Sequence, residues 1–386
     1  MLDRPVSAAM RERLAMYNRN ALKIGMFGAN CSSGRSATKV PERWSASWAD
    51  CLALARMADD AGIDFMLPIG RWKGYGGETD FHGETLETIT WATGLLAKTR
   101  RITVFGTVHA PLFPPLIAAK EFVTADHVGR GRFGLNIVAG WNEDEFEMFG
   151  VEQREHDARY DYAQDWIDAV KMAWSAGDDF DFDGRFIKLK GVRAKPKPYG
   201  GTRPMIMNAG SSGAGQAFAL RNCDAFFTAN AASRVSLEAA ARKVEEIKAQ
   251  AQSFGREIEV YTIGQVVCRP TQKEAEEYYR HAIIEQADWD AIESMLRIRN
   301  ITRQTMSEDE YLAKRQYFAS NAIGGYPFVG TPDRVAEDLA NISRSGVRGI
   351  ALSFVNYLRE LPFFRDEVLP RLVRAGVREP PPARAA

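Results

Sequence analysis

The chain has 386 residues, 45% apolar and 26% charged, with 50 basic and 50 acidic side chains and no net charge. That balance excludes a dedicated nucleic-acid binder or a protein held by charge on an anionic membrane, and no apolar run is long enough to span a bilayer. Cys31, Cys51, Cys223 and Cys268 lie far apart without CxxC spacing, and Asp3, Arg4, Arg11 and Glu12 occupy the place of a signal core, so a cytoplasmic protein without structural zinc is expected.

Short apolar runs alternate with helical patterns from end to end. The first strand is expected at 21–28 (ALKIGMFG), followed by a polar insertion over 29–47 and a helix over 48–61. A second strand at 63–69 (IDFMLPI) opens onto GRWKGYGG at 70–77. There Arg71 and Lys73 are cations on a loop whose glycines would let backbone approach a planar ligand, although a solvated loop is the plainer reading. A helix over 84–98 precedes the third strand, 102–108 (ITVFGTV). His109, just past it, suits either a catalytic or substrate-contacting imidazole or a structural histidine. After a helix over 114–128 comes the fourth strand, 132–139 (RFGLNIVA), with the amide Asn136 inside its apolar run. A buried amide must be satisfied, no neighbour is an evident partner, and a bound polar ligand is one answer. The chain then turns at Ala139-Gly140-Trp141. Glu143, Asp144, Glu145 and Glu147 crowd the next short loop, a pattern usual for a solvated face.

His156 precedes Arg159 and Tyr160 by one turn at the start of a helix over 158–175, and 176–202 reads as a short hairpin and a proline-rich connector. The fifth strand, 203–209 (RPMIMNA), runs into NAGSSGAGQAFA at 208–219. Ser211, Ser212 and the glycines there present backbone N–H groups at a helix start, which favours an anion, or else make a tight serine-capped turn. The remaining strands fall at 223–229, 259–267 and 348–355, with helices over 212–221, 234–254, 272–288, 332–346 and 359–374 and a long insertion over 289–331. Eight continuous apolar strands separated by helices imply a parallel sheet buried on both faces, and eight strands close a barrel. The expected fold is a (β/α)8 TIM barrel over 1–376, with lid-like insertions near 29–47, 176–202 and 289–331 and a disordered tail over 377–386, in preference to an open doubly wound sheet.

The chemistry-bearing residues are sparse. His82, His109, His127, His156 and His281 form neither HxH nor HExxH, GxSxG and the nucleoside-triphosphate loop are absent, and no carboxylate pair falls on strand ends. An anion site, an amide inside strand four and no evident acid–base or metal set suit a bound cofactor that carries the reaction itself.

Several long motifs bear a resemblance: DHVGRGRFGLNIVAGWNEDEFEMFG, EHDARYDYAQDWI, NAGSSGAGQAFA, and FVGTPDRVAEDL at 328–339. Over nearly its whole length the chain resembles the bacterial luciferase-like flavin monooxygenases, in their pyrimidine oxygenase and dimethylsulfone monooxygenase branch. The resemblance implies FMN at the C-terminal mouth of the barrel, contacted by Asn136, Glu145, Arg159 and Tyr160, with Ser211 and Ser212 at its phosphate and Gly70 and Arg71 on a loop that meets it. It implies that Leu67, Thr107, Asn136 and Trp141 line an oxygen pocket associated with flavin N5 rather than C4a. His109 follows Thr107 by two, as in the sulfone branch and unlike the pyrimidine oxygenases, and is grouped with the catalytic candidates. The implied activity is two-component: reduced FMN from a separate NAD(P)H:FMN reductase reacts with O2 to oxygenate a sulfone, sulfonate or N-heterocycle, in a homodimer or homotetramer. A deazaflavin-dependent hydride-transfer enzyme and a non-catalytic flavin-binding barrel are the alternatives.

Overall fold

The computed structural model describes residues 14–210, 212–228, 236–320 and 325–381. Its main sheet has nine strands. They are β1 (Lys23–Phe27), β2 (Phe65–Leu67), β3 (Thr103–His109), β4 (Phe133–Val138), β7 (Met205–Asn208), β8 (Ala225–Phe227), β9 (Glu259–Cys268), β10 (Tyr326–Gly330) and β11 (Gly349–Ser353); β5 (Phe180–Asp183) and β6 (Lys188–Val192) form a separate antiparallel hairpin. The order β9-β11-β1-β2-β3-β4-β7-β8, with β8 pairing back onto β9, closes eight strands into a parallel barrel. Those eight are the eight apolar runs of the sequence. Burial on both faces explains their lack of alternation: β3 and β11, for example, are buried at every position.

The chain divides into two compact units. One comprises Thr88–Thr228 with Ile247–Glu259 and the segment up to Asn18, and carries β3, β4, β7 and β8. Within it β3 pairs β4 over six residues, from Val104 opposite Phe133 to His109 opposite Val138. Helices Pro115–Val128 and His156–Ser175 bury Phe122, Trp166 and Trp174, whose rings meet edge to face. At the opposite ends of the strands Arg132 donates to the carbonyls of Leu96, Thr99 and Ile102 and to the Thr99 hydroxyl, satisfying a buried guanidinium entirely with backbone and hydroxyl oxygen.

The second unit, Arg19–Glu87 with Ala229–Glu246 and Val260–Ala386, carries β1, β2, β11 and most of β9. β10 pairs with the C-terminal half of β9, outside the ring, and was hidden inside the long insertion. That insertion also forms helices Trp289–Ile298 and Glu308–Ser320, the first with a strong apolar face burying Ile292, Met295 and Leu296; its residues 321–324 lie outside the description. The 29–47 segment, expected as a lid, is mostly buried: the Trp44 indole donates to the Ala29 carbonyl at 2.7 Å and Lys39 N to the Gln286 carbonyl at 2.7 Å. A second correction concerns the tail. Val377 and Arg378 are buried, and Arg378 donates to Asp64 at 2.5 Å and to the carbonyls of Leu22 and Gly62. A buried carboxylate needs a counter-charge, and Asp64 draws the chain end in to supply one.

Candidate active site

The first unit brings most of the sequence candidates together at the C-terminal ends of β3, β4 and β7. Register does this: Thr107 on β3 stands directly opposite Asn136 on β4, so their side chains leave the same face of the sheet. The Asn136 amide donates to the Thr107 hydroxyl oxygen at 3.2 Å. The amide read as lacking an evident partner therefore has one, 29 residues away and invisible without the pairing. Thr107 is itself clamped, because the Thr88 hydroxyl donates to its carbonyl at 2.6 Å and accepts from its N–H at 3.2 Å. Thr88, at the start of helix Thr88–Leu96, is a positioning residue that no motif announced.

His109 is the last residue of β3 rather than part of the following loop. Its Nε2 lies 3.9 Å from a carboxylate oxygen of Glu145, and both side chains are almost fully buried. The acidic run is divided: Glu143–Met148 is a helix that keeps Glu143 and Glu147 in solvent and carries Glu145 and Phe146 on its inward side. Gly140 makes this possible. It sits at φ 87°, and a Cβ there would come within 2.3 Å of the Phe146 ring, so only glycine lets the short helix fold back onto the strand end. Arg159, one turn into helix His156–Ser175, donates through Nη1 to the Gly140 carbonyl at 2.6 Å and holds the same turn from the other side. The His156 side chain lies outside the description.

The turn after β7 is built by Asn208 and Ser212. The Asn208 amide donates to the Ile137 carbonyl at 2.7 Å and accepts from Gly210 N at 2.7 Å, tying the loop to β4. Ser212 caps helix Gly213–Asn222, accepting from Gly215 N at 3.1 Å, and hydrogen-bonds the Tyr160 phenol. Burial raises that phenol's pKa, with the Ser212 bond opposing. A Cβ on Gly215 would lie 2.5 Å from the Tyr160 oxygen and one on Gly210 would lie 2.7 Å from Gly215, so tyrosine, loop and helix start are in contact as closely as backbone permits. The serine is a cap, and the first turn of this helix is where the sequence placed a candidate anion site. Ser211 lies outside the described residues.

Asn142, at the entrance of the short helix, is 1% exposed, yet among the described residues neither its amide nitrogen nor its oxygen has a hydrogen-bond partner. Burying an amide without compensation costs about 1–3 kcal/mol, which a polar heterocycle with both donors and acceptors would remove. Sequence reasoning passed over Asn142 because the stretch after it read as a short solvated loop. Trp141 beside it is partly exposed. In the second unit, Leu67 ends β2 and is buried, Gly70 is partly exposed, and Arg71 is buried with Nη2 on the Tyr75 hydroxyl at 2.8 Å.

The model of the luciferase-like monooxygenase family matches residues 22–349. The chain belongs to the luciferase-like monooxygenases. Among its relatives, an FMNH2-dependent dimethylsulfone monooxygenase of Pseudomonas fluorescens is 29% identical over 364 residues, covering 92% of this chain and 96% of that protein. The pyrimidine monooxygenase RutA of Escherichia coli O6:H1 is 27% identical over 360 residues, covering 91% and 89%. A riboflavin lyase crystal structure superposes with a TM-score of 0.81 at 21% identity, covering 93% of each chain, which agrees with the luciferase-like barrel described above. No helix among the described residues is long and apolar enough to cross a membrane.

Proposed function

We propose that this luciferase-like barrel is the oxygenase of a two-component system: it takes reduced FMN from a separate NAD(P)H:FMN reductase and uses O2 to oxygenate a small heteroatom-containing substrate, a sulfone, sulfonate or N-heterocycle. The registered Asn136–Thr107 pair carries the reading, as a preformed polar pair at the strand ends, and the buried, unpartnered Asn142 amide supports it. The names of the two relatives support it. When bound, reduced FMN supplies the two electrons that let one oxygen atom enter the substrate while the other leaves as water.

The protein's part is binding, orientation and exclusion of water. Ser212 and the first turn of its helix hold the phosphate, with Tyr160 packed against them. Asn136 and Thr107 direct hydrogen bonds at the isoalloxazine edge and at the place of O2, and Thr88 fixes the backbone that carries Thr107. Glu145 holds His109 at the strand end, where the imidazole orients a polar substrate group. Trp141 walls the oxygen pocket, Arg159 fixes the turn that carries it, and Leu67, Gly70 and Arg71 complete the assignment. Four buried free cysteines support a cytoplasmic, reducing setting, and barrels pairing through outer helices into a dimer or tetramer belong to the same reading.

The test is single turnover with photoreduced FMN and O2 against sulfone, sulfonate and pyrimidine candidates. Asn136→Ala should lower oxygenated product per reduced flavin roughly tenfold or more and release hydrogen peroxide instead. An unchanged yield would remove Asn136 from this role, and hydride transfer without oxygen uptake would remove the function.

A further inference from the structure

The second unit gathers three buried or partly buried arginines, of which the flavin assignment uses only Arg71. Arg35 follows β1, Arg71 follows β2, and Arg299 caps the insertion helix Trp289–Ile298; Arg35 is 6% exposed and Arg71 8%. Arg71 Nη2 donates to the Tyr75 hydroxyl at 2.8 Å, and Arg299 hydrogen-bonds the same hydroxyl. Two guanidinium donors on one oxygen stand within about 6 Å of each other, a separation that repels strongly where water is excluded. Arg299 does not reach Tyr75 by chance, since its Nη1 is anchored on the Met295 carbonyl at 3.0 Å and its guanidinium lies 5.4 Å from the Phe318 ring centroid. Arg35 is similarly fixed, 4.5 Å from the Phe27 ring centroid.

The electrostatics agree. Burial, with a further contribution from Arg299, pulls the Arg35 guanidinium down to about 10. Arg299 is lowered by burial and by Arg71. His82 is pushed down to about 3 by burial first and then by Arg71, with Arg35 and Arg299 adding to it. Its Nε2 lies 2.6 Å from the Gly34 carbonyl, which can only accept, so the neutral ring carries its proton there. The other nitrogen, Nδ1, is buried with no partner among the described residues, as is the Ser33 hydroxyl. Ser33 and His82 both hold left-handed backbone, at φ 62° and 61°, conformations that persist where surroundings over-determine them, often at ligand sites.

We propose that Arg35, Arg71 and Arg299, with Tyr75, form an oxyanion-binding pocket, and that the substrate it selects carries a sulfonate or carboxylate group. The second half rests on the monooxygenase reading; the pocket stands without it. Guanidinium forks match such planar or tetrahedral oxyanions, and an incoming anion relieves repulsion already stored in the fold. The pocket would discriminate against an uncharged sulfone of similar size.

The experiment uses the full-length, flavin-free protein, titrated calorimetrically and melted with sulfate, methanesulfonate or dimethylsulfone. Sulfate and methanesulfonate should bind and raise the Tm, and dimethylsulfone should do neither. Arg299→Gln should weaken methanesulfonate at least about tenfold while leaving the anion-free Tm unchanged or higher, because a like charge is removed. A purely structural arginine would instead lower that Tm. Arg71→Lys, which keeps the charge and loses the fork, should fall between. Equal binding of sulfonate and sulfone, or undiminished sulfonate binding by Arg299→Gln, overturns the proposal. So does a loss of FMN affinity in Arg299→Gln that spares riboflavin, which would make the pocket the flavin phosphate's site. Sulfonate binding without any oxygen-dependent product supports the pocket and overturns the monooxygenase reading instead.

Discussion

His82 and Arg378 show what a single buried charge does to this protein. Burial holds the folded pKa of His82 near 3, against an ordinary imidazole value of about 6.5, so between those limits the unfolded chain binds a proton that the native state refuses. Stability is therefore unaffected by His82 above about pH 6.5 and falls as the pH drops from there toward 3, by up to about 1.4 kcal/mol per unit. His82→Gln should flatten that part of the curve, read as the urea midpoint between pH 4 and pH 7; an unaltered slope would mean that other groups dominate acid unfolding. Arg378 presents the opposite case, a charge whose loss strands its partner. Asp64 is fully buried and accepts from Asn20, Ile24 N and Arg378. Arg378→Met should cost about 3–5 kcal/mol, visible as a lower denaturation midpoint, and cleavage after Gly376 should do the same. A loss below about 1 kcal/mol would mean that the chain end is not clamped.

Among the elements, the serine-capped helix Gly213–Asn222 has one observed role, its cap, and one proposed role, the phosphate, that one substitution separates. Ser212→Ala removes the bond to Gly215 N and should cost about 1 kcal/mol of stability. It should also weaken FMN while sparing riboflavin, since only the phosphate uses the helix start. Loss of stability alone would reduce Ser212 to a cap. The short helix Glu143–Met148 teaches a different lesson. Four acidic residues in five positions read as solvent-facing, but the turn enforced by Gly140 rolls one of them, Glu145, inward beside His109. Glu145→Gln should therefore lower kcat more than KM in the oxygenation assay. Composition could not have indicated this, because which of four carboxylates is buried depends on the direction in which the helix leaves the strand.

At the scale of the whole molecule, supply of the reduced flavin is separable from oxygenation. Chemically reduced FMN should support turnover with no second protein present, whereas oxidised FMN with NADH should give none until a reductase is added; turnover from NADH alone would mean that one chain does both reactions. The sequence by itself determined the strands, because eight continuous apolar runs need no distant information to be seen, and their number favoured a closed barrel over an open doubly wound sheet. It also determined the Ser212 turn and singled out Asn136, since glycine and serine spacing and an amide in an apolar run are local signals; Tyr160 entered as a flavin contact only through the family resemblance. Tertiary structure alone decided the partners. Thr107 meets Asn136 through strand register, Thr88 clamps Thr107 from a neighbouring helix, Glu145 turns inward, and Arg35, Arg71 and Arg299 converge from three loops far apart in the chain. Hydrogen bonds and Coulomb forces act over a few ångströms of space, whatever the separation in sequence, so these pairs appear only after each unit has folded.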